Sequence, residues 1–489
     1  MGIVGADFNM VLKSSERSSG STNSKDIDDF STLIDSMDLN DLPLMGGRWT
    51  WNNLREHSSS SRIDRFLITT NLLAILPNLN QKLLARPTSD HFPILLVSDG
   101  IQWGPVPFRI DNKWLELDSF RKMVADTWNK MSIKGTSSYR IATKLKNLKA
   151  VIKTWVKETG RKKEEGINDI LVEIDDLDKK DHSMLSTDER EKRKNLKLML
   201  ANKLHLEAIS WKQKGREKWI KDGDRNLKYF YMLANHRRRI NFVEELTFVN
   251  NRIKGNEALR KSTKIHFQKS YTEQHEQRPN LDNLSFSNIS EQEKEQLEGK
   301  FTENEILDCL RECDGDKAPS PDGFNFKFIQ TFWGTIKGDI LEFLNDFHNH
   351  NTFVRSLNST FLVMIPKHAN LGKINDFRPI SLIGCIYKLL SKVLAKRLSK
   401  VLDKIISEYQ HAFVYGRQIY DAILTANEIV DETTRHNKRG ALCKLDMEKV
   451  FDHVNWNFID YIASKNGFWP EMEKLDKILH HNLQFRGYG

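Results

Sequence analysis

The strongest constraint on the fold of this chain is a change in hydrophobic periodicity that divides it into three parts. Residues 1–98 carry short apolar runs separated by stretches rich in Ser, Asn and Gly, a pattern typical of strands and loops. After a break at 104–108 the apolar residues recur at helical spacing, with charged residues between them. From residue 301, short apolar runs alternate with helical segments, which predicts an α/β unit. The sequence therefore predicts a multidomain chain with α/β and α+β parts: a sandwich-like unit at 1–98, a basic helical linker at 105–300 and a third unit at 301–489.

Length, charge and cysteine content narrow the class of protein. A chain of 489 residues is too long for one compact core and predicts two or three domains. Its 75 Lys and Arg against 66 Asp and Glu leave a net charge of +9, which permits a polyanionic partner without establishing one. None of the four cysteines forms a CxxC pair, so we expect no zinc site and a reducing compartment. The start lacks a secretion signal, and no run of about 18 apolar residues occurs, so we expect an intracellular protein, in the nucleus or cytoplasm, without membrane contact.

The middle part predicts two amphipathic helices and then a linker. Helical spacing places on one apolar face Ile167, Leu171, Ile174 and Leu177, and on another Leu196, Met199, Leu200, Leu204 and Leu206. Residues 270–300 contain few apolar side chains and are predicted to connect two units. Thr302 and Glu305 then fit a capping box that opens a helix, whose inward side chains are Ile306, Leu307 and Leu310.

Polar side chains in the first unit accompany the predicted strands. Asp7 and Asn9 follow one apolar run, Asp64 lies in a second, and Asp90 and His91 precede a third. Such groups suit metal-assisted phosphodiester hydrolysis, in which Asp and Asn orient the attacking water, His moves a proton or stabilises the phosphate, and a divalent ion neutralises the leaving oxyanion. The plainer interpretation is that each Asp caps a turn and that His91 is a surface residue, and it is the better one for any single motif.

The order and spacing of these motifs resemble the endonuclease/exonuclease/phosphatase family, whose GDFN, strand Asp and SDH motifs match Asp7, Asn9, Asp64, Asp90 and His91. Residues 48–52 lie where retrotransposon members carry a similar Phe-Thr-Trp turn. The resemblance implies catalytic roles for the matched residues and the C-terminal part of a four-layer sandwich at 1–98. The family's metal-binding Glu and Asn precede GDFN, and here Met1 lies six residues before Asp7. We therefore expect an incomplete metal site and no endonuclease activity from this chain.

Residues 211–246 interleave cations with aromatic rings. The cations that we assign to nucleic-acid contacts are Lys214, Arg216, Lys218, Lys221, Arg237, Arg238 and Arg239. This pattern suits RNA or single-stranded DNA, because cations meet phosphates and rings stack on bases. A packing face formed by Trp219, Phe230 and Leu233, with the cations on its solvated side, fits the composition equally well. The string resembles the linker of plant non-LTR retrotransposon polyproteins, which carry a similar W-x-x-x-G-D-x-N-x-K-F-F stretch followed by an Arg-rich turn.

The third unit contains a series of short motifs. A rigid Pro/Gly turn at 317–324 separates two predicted helices. Lys367 ends a predicted strand and Arg378 opens the next segment, so two cations could offset the charge of a nucleoside triphosphate. A mainly apolar strand at 441–446 then delivers Asp446 at its end, and such a carboxylate can hold the paired metal ions of a nucleotidyl transferase. Taken alone, Asp446 is more often the end of a strand before a turn.

Together these motifs are similar to those of non-LTR reverse transcriptases, in the order KAPSPDGF, IPK, FRPISL, QHAFVYGR and KLDMEKVFDHVNW. The resemblance implies that Lys367 and Arg378 bind the incoming dNTP, that Asp446 is the metal-binding catalytic aspartate and that Phe451 is the sugar gate. It further implies Mg²⁺ as cofactor and the fingers and start of the palm of a right-hand polymerase at 301–489. Val450 replaces the usual Ala beside the gate, and no Tyr-x-Asp-Asp strand follows, so we expect an incomplete polymerase site.

The resemblances cover nearly the whole chain and predict a plant-type non-LTR retrotransposon polyprotein, cut at both ends. The implied function is RNA-directed DNA synthesis with an associated target-nicking endonuclease, and the implied partners are an RNA template, a DNA target and dNTPs. Two other hypotheses remain: a non-catalytic nucleic-acid-binding remnant, and a free-standing nuclease or phosphatase. The sequence does not indicate an oligomeric state.

Overall fold

The computed structural model describes most of the chain. The described residues are 2–19, 23–53, 59–76, 79–84, 86, 89–98, 107–161, 166–179, 186–215, 243, 245–248, 251–272, 281–317, 319–367, 372–437, 439–443, 445, 454–468 and 484–487. Helices and strands are mixed throughout, as the predicted fold class requires. Among the described helices, none combines the length and the apolar composition needed to span a bilayer.

The first unit consists mainly of short strands, as its short apolar runs predict. Its strands are Ile3–Asp7, Leu39–Asp41, Leu44–Met45, Trp51–Asn52, Ser60–Ser61, Asp64–Thr69, Asn80–Leu83 and Ile94–Val97, its helices are Ser24–Ser36 and Thr70–Ile75, and Ser14–Glu16 forms a 3-10 turn. Asp64–Thr69 lies between Ile3–Asp7 and Leu39–Asp41 and is antiparallel to both. A second sheet joins Asn80–Leu83 to Leu44–Met45 and to Ile94–Val97. Each of the three apolar runs predicted as strands therefore contains one.

The largest hydrophobic core joins two distant parts of the sequence. After a 3-10 turn at Asn112–Glu116, the helices Asp118–Lys130 and Ser137–Arg161 bury Phe120, Trp128 and Leu148. These side chains belong to the same core as Phe328, Phe347 and Leu390 of the third unit. The packed core therefore extends across the boundary predicted near residue 301.

The helices Ile167–Asp178 and Thr187–Gly215 pair with each other through a small apolar cluster. That cluster contains Ile170, Ile174, Leu177 and Leu196, with Leu200 packed against it. The predicted faces are confirmed at Ile174, Leu177, Leu196 and Leu200 and wrong at Leu171 and Met199, which are 46% and 43% exposed. The buried stripe begins at Ile170 rather than Ile167, and spacings of four and three residues from there lead to Ile174 and Leu177.

The segment predicted as a linker is in large part folded. A hairpin of Glu245–Phe248 and Asn251–Lys254 and the helix Asn256–Ser270 pack against strands of the third unit. Within 281–300, the helix Glu291–Glu298 begins at a capping box on Ser290. Ile289 and Leu297 are buried against Val401 and Phe468, so the few apolar residues of this stretch make core contacts.

The third unit contains helices and a three-stranded sheet. Its helices are Glu303–Arg311, Phe326–Thr331, Trp333–His350, Cys385–Ile405, Ile419–Arg435 and Trp456–Lys465, with 3-10 turns at Arg355–Asn358 and Ile374–Asp376. Ser359–Pro366 lies between the antiparallel Phe377–Ile383 and the parallel Gln484–Gly487. The predicted capping box forms only in part: the Thr302 hydroxyl accepts a hydrogen bond from the Glu305 amide at 3.3 Å, but the Glu305 side chain does not bond back to Thr302. The Glu305 carboxylate pairs with Arg397, which makes two hydrogen bonds to it.

The predicted strand at 441–446 is not observed among the described residues of that segment. Residues 441–443 and 445 belong to no strand, and Leu442 and Leu445 are 80% and 83% exposed. An apolar run forms a buried strand only where a neighbouring strand pairs with it, and none pairs with these residues in the described part of the chain. The preceding helix, Ile419–Arg435, buries none of its side chains.

Candidate functional sites

A cluster of two carboxylates and an imidazole lies at one end of the first sheet. The antiparallel register pairs Asp7 directly with Asp64, at the end of one strand and the start of the other. His91 comes from the segment before Ile94–Val97 and is bridged to Trp51 through the backbone. One potential ligand atom from each of Asp7, Asp64 and His91 lies within 4.8 Å of the others. The structure thus brings together three of the side chains that the sequence predicted as catalytic.

The remaining predicted residues of this unit flank the cluster. The Asn9 backbone adopts the left-handed conformation, with φ of 53°, and its amide donates a 2.8 Å hydrogen bond to Asp7 Oδ1. Asp90 is exposed and accepts a 2.9 Å hydrogen bond from Trp51 Nε1. That hydrogen bond is the main reason why the pKa of Asp90 is lowered from its ordinary value. Asp90 therefore stays ionised beside the cluster at neutral pH.

The geometry of Asp64 and His91 is suited to proton transfer. Nδ1 of His91 lies 3.1 Å and 3.2 Å from the two Asp64 oxygens, and both side chains are partly buried. A carboxylate at one ring nitrogen fixes the tautomer and orientation of the imidazole and leaves the other nitrogen for a phosphate or water. The two carboxylates and the imidazole also form a donor set for a divalent cation, and the nitrogen ligand fits Mn²⁺ better than Mg²⁺.

A buried ion network supports the strand that carries Asp64. Arg65 is fully buried and pairs with Glu16 at 2.9 Å and with Asp41 at 3.1 Å, and Arg62 pairs with the same two carboxylates. Burial disfavours ionisation of Glu16, but the charges of Arg65 and Arg62 together hold its pKa below the ordinary value. Sequence reasoning missed this network, although the repeated Arg on both sides of Asp64 was a visible signal.

In the third unit, two predicted cations lie at one end of an antiparallel strand pair. Arg378 is paired in register with Ile365, and Lys367 follows the end of the first strand. The Lys367 amide donates to the Asp376 carbonyl at 2.9 Å, and its Nζ donates to the Asn375 carbonyl at 2.8 Å. Both cationic side chains are exposed. The structure therefore presents two positive charges to solvent from neighbouring strands.

The turn at 317–324 is anchored beside this strand pair. The buried Asp322 carboxylate accepts hydrogen bonds from the amides of Phe324, at 3.0 Å, and Cys385, at 3.2 Å. Ser320 Oγ donates to the Ile383 carbonyl, and burial raises the pKa of Asp322. As predicted, the turn connects two helices, and its anchors fix it to the junction between Phe377–Ile383 and Cys385–Ile405.

Several predicted site residues lie outside the described residues: Asp446, Phe451, Arg216, Lys218, Lys221, Arg237, Arg238 and Arg239. Lys214 is described, and it lies exposed near the end of the Thr187–Gly215 helix. Its Nζ is 4.4 Å from the centroid of the Trp211 ring. This contact is compatible with both interpretations of the basic segment, which remain predictions.

The chain is similar to known proteins of transposable elements. Residues 365–486 match the family model described as reverse transcriptase (RNA-dependent DNA polymerase), a range that includes Lys367, Arg378, Asp446 and Phe451. The chain is 25% identical over 509 aligned residues to the transposon TX1 uncharacterized 149 kDa protein of Xenopus laevis, which covers 99% of this chain and 38% of that protein.

A second relative is the retrovirus-related Pol polyprotein from the type-1 retrotransposable element R1 of Bradysia coprophila. It is 27% identical over 156 residues, covering 31% of this chain and 15% of that protein. This chain thus spans well under half the length of either relative. Residues 365–486 therefore match the reverse transcriptase family, in a chain that is similar to proteins of a transposon and of a retrotransposable element.

Proposed function

We propose that this chain serves RNA-directed DNA synthesis in a non-LTR retrotransposon, with an RNA template, a DNA target and dNTPs as its ligands. The reverse transcriptase match at 365–486 is the observation that carries the proposal. The exposed Lys367 and Arg378, on neighbouring strands inside the matched range, support it. Two fixed cations can bind the triphosphate of an incoming nucleotide and offset its charge.

In this proposal the other polymerase roles follow the sequence resemblance. Asp446 would hold Mg²⁺, which supplies charge neutralisation and orientation of the triphosphate when bound. Phe451 would exclude a ribose 2′-hydroxyl by occupying the space beside the sugar. The anchored turn at 317–324 holds the end of the Arg378 strand against the Cys385–Ile405 helix. A strand fixed in this way can keep its cation at a constant distance from the triphosphate.

Nucleotide binding tests the proposal on the residues that the structure describes. We expect the full chain, with Mg²⁺ and a DNA primer annealed to RNA, to photo-crosslink to a radiolabelled dNTP. Lys367→Ala and Arg378→Ala should each weaken dNTP binding by about 10-fold or more, as expected for a lost hydrogen bond to a charged group. Lys400→Ala, which removes an exposed cation from the Cys385–Ile405 helix, is the matched control. Crosslinking that is absent, or equal in all four proteins, contradicts dNTP binding at this site.

The alternative function is nucleic-acid binding without catalysis, and the basic segment that includes Lys214 favours it. A filter-binding titration with single-stranded RNA should then show an affinity that falls steeply with salt. If RNA binds in this way while no dNTP crosslinks, the chain is a binding protein rather than a polymerase component.

We propose in addition that the first unit carries part of a site for phosphodiester hydrolysis, corresponding to the nicking of target DNA. The contact among Asp7, Asp64 and His91 favours it. His91, oriented by Asp64, would move a proton or bind the phosphate, and Asp7 and Asn9 would orient the attacking water. A divalent cation held by the cluster would supply charge neutralisation at the leaving oxygen.

Mn²⁺ binding tests this cluster, because Asp64→Asn and His91→Gln each remove one of its donor atoms. Complete hydrolysis also needs the family's metal-binding Glu, which precedes the GDFN motif in that family. We expect the Mn²⁺ titration in electron paramagnetic resonance to include a strong site that is lost in Asp64→Asn and in His91→Gln. Asp29→Asn, an exposed carboxylate on the Ser24–Ser36 helix, should leave the titration unchanged. Equal Mn²⁺ affinity in all these variants argues against the cluster as a metal site.

A further inference from the structure

A buried threonine connects the two segments that supply the Asp64 and His91 side chains. Thr50 is completely buried and precedes the short strand Trp51–Asn52. Its hydroxyl oxygen accepts two hydrogen bonds, from the amides of Ile63 and Asp64, each at 3.0 Å. The side chain of residue 50 therefore holds the backbone of Asp64 directly.

The backbone of Thr50 makes contacts in both directions. Its amide donates to the Ser61 carbonyl at 3.0 Å, on the side of the Asp64 segment. Its carbonyl accepts from the Phe92 amide at 2.7 Å, on the side of the His91 segment. Asp64 and His91 are 27 residues apart in sequence. Residue 50 therefore connects two segments that no helix or tight turn joins.

Trp51 and Asn52 extend the same bridge. The Asn52 amide donates to the Asp90 carbonyl at 3.0 Å, and Trp51 Nε1 donates to an Asp90 carboxylate oxygen at 2.9 Å. The backbone of Trp51 pairs with Ser61 on one side and is bridged to His91 on the other. Residues 50–52 thus form a strap, a short extended segment that hydrogen-bonds to both site segments.

We infer that Thr50 is a positioning residue, whose hydroxyl and carbonyl together set the contact between the Asp64 carboxylate and the His91 imidazole. A group that orients metal ligands and catalytic side chains is needed because their geometry tolerates errors of only a fraction of an ångström. The hydroxyl is the essential part of Thr50. An aliphatic side chain of the same shape would leave two buried amides without an acceptor and would let the start of the Asp64 strand move.

This inference rests on the proposed phosphodiester chemistry for its functional meaning, but its structural core can be measured without a metal. Amide hydrogen exchange of Ile63 and Asp64 in the full chain reports on the bonds to the Thr50 hydroxyl. Thr50→Val keeps the shape and removes the acceptor, whereas Thr50→Ser keeps the hydroxyl. We expect faster exchange of both amides in Thr50→Val and near-native exchange in Thr50→Ser. Unchanged protection in Thr50→Val overturns the inference, whatever the metal experiments show.

Mn²⁺ affinity gives the functional readout. We expect Thr50→Val to bind Mn²⁺ about 10-fold or more weakly, the usual effect of removing a group that orients metal ligands, and Thr50→Ser to bind like the native chain. If Thr50→Ser binds Mn²⁺ as weakly as Thr50→Val, the hydroxyl does not set the geometry of the ligands, which overturns the positioning role.

One control variant and the combination of the two measurements separate the possible failures. Trp49→Phe changes the neighbouring ring, which stacks on the Arg48 guanidinium, and should leave Mn²⁺ affinity unchanged. If the native chain binds no Mn²⁺ but the exchange pattern follows the hydroxyl, the proposed metal chemistry fails while the structural bridge stands. If Mn²⁺ binds through Asp64 and His91 and Thr50→Val binds it equally well, the proposed function stands and the positioning role fails.

Discussion

Replacing Arg397 should destabilise the third unit more than any other single change to an ion pair there. Arg397 is 7% exposed and makes two hydrogen bonds to the Glu305 carboxylate, of 2.6 Å and 2.8 Å. It also donates to the carbonyls of Leu297, Gly299 and Lys300, and its guanidinium lies 4.4 Å from the centroid of the Phe301 ring. One side chain therefore joins the Cys385–Ile405 helix to the two helices that precede the turn at 317–324.

The expected magnitude follows from what the substitution leaves behind. Arg397→Met keeps most of the aliphatic part of the side chain. It leaves the Glu305 carboxylate without its cation and the three backbone carbonyls at 297, 299 and 300 without the guanidinium donor. Losing one partner of a buried ion pair typically costs about 3–5 kcal/mol. The Glu305 side chain is 21% exposed and can regain some hydration, so we expect the lower end, about 3 kcal/mol. This corresponds to a rise of roughly a hundredfold in the opening equilibrium of the unit.

Thiol labelling can measure this change within the unit itself. Cys309, Cys313 and Cys385 are buried in the large core, whereas Cys443 is exposed. Labelling of the buried thiols requires opening of the core, so its rate should rise roughly a hundredfold in Arg397→Met, while the rate at Cys443 should not change. Lys396→Met is the matched control, because its pair with Glu312 is partly exposed and contributes less than about 1 kcal/mol. Buried-thiol labelling in Arg397→Met at the same rate as in Lys396→Met would contradict a stabilising role of the Arg397–Glu305 pair.

Two further predictions concern glycines and a surface carboxylate. Gly323→Ala should lower the free energy of unfolding by more than about 1 kcal/mol, because φ at Gly323 is +89° and the new Cβ would lie 2.3 Å from the Phe108 ring. Gly338 lies inside a helix with open space around it, so Gly338→Ala should raise the free energy of unfolding by about 0.5–1 kcal/mol. Urea denaturation of both variants checks this, and a stabilised Gly323→Ala would contradict it. In the Glu293 carboxylate, hydrogen bonds from Lys404 and Ser290 lower the pKa from 4.5 to about 2. Any stability that this carboxylate contributes is therefore present above its unfolded pKa and is lost as the pH falls through about 2. Carbon NMR should show this pKa rising in Lys404→Ala and unchanged in Lys400→Ala, and equal values in the two variants would argue against the contact.

Local patterns in the sequence predicted the elements that depend on local contacts. Within the predicted capping box, the Thr302 hydroxyl caps its helix as expected. The partner of Glu305 could not be predicted in the same way, because Arg397 lies 92 residues further along the chain. The strand predicted at 441–446 is wrong for its described residues, 441–443 and 445, for the same reason, since a strand depends on a neighbour that the run itself does not specify.

The candidate sites show the same difference between residues that local motifs predict and contacts that join distant parts of the sequence. Motif order was sufficient to identify Asp7, Asp64 and His91, and the structure brings them together. Their supporting residues were not identified, because the contacts of Thr50 and Arg65 join segments that are distant in sequence and carry no periodic signal. For the polymerase, Lys367 and Arg378 were identified by motif and lie on paired strands, while the roles of Asp446 and Phe451 stay predictions.

The core that joins the two helical parts has a consequence for synthesis on the ribosome. The apolar faces of Asp118–Lys130 and Ser137–Arg161 leave the exit tunnel long before Cys385–Ile405, which completes their core. At about 5–20 residues per second, the nascent chain waits on the order of 10–50 s with these faces uncovered. During that interval a chaperone or the ribosome surface would have to shield Phe120 and Trp128 from aggregation. Slow translation of the segment between the two parts should therefore lower the yield of folded protein more than slow translation after Cys385–Ile405.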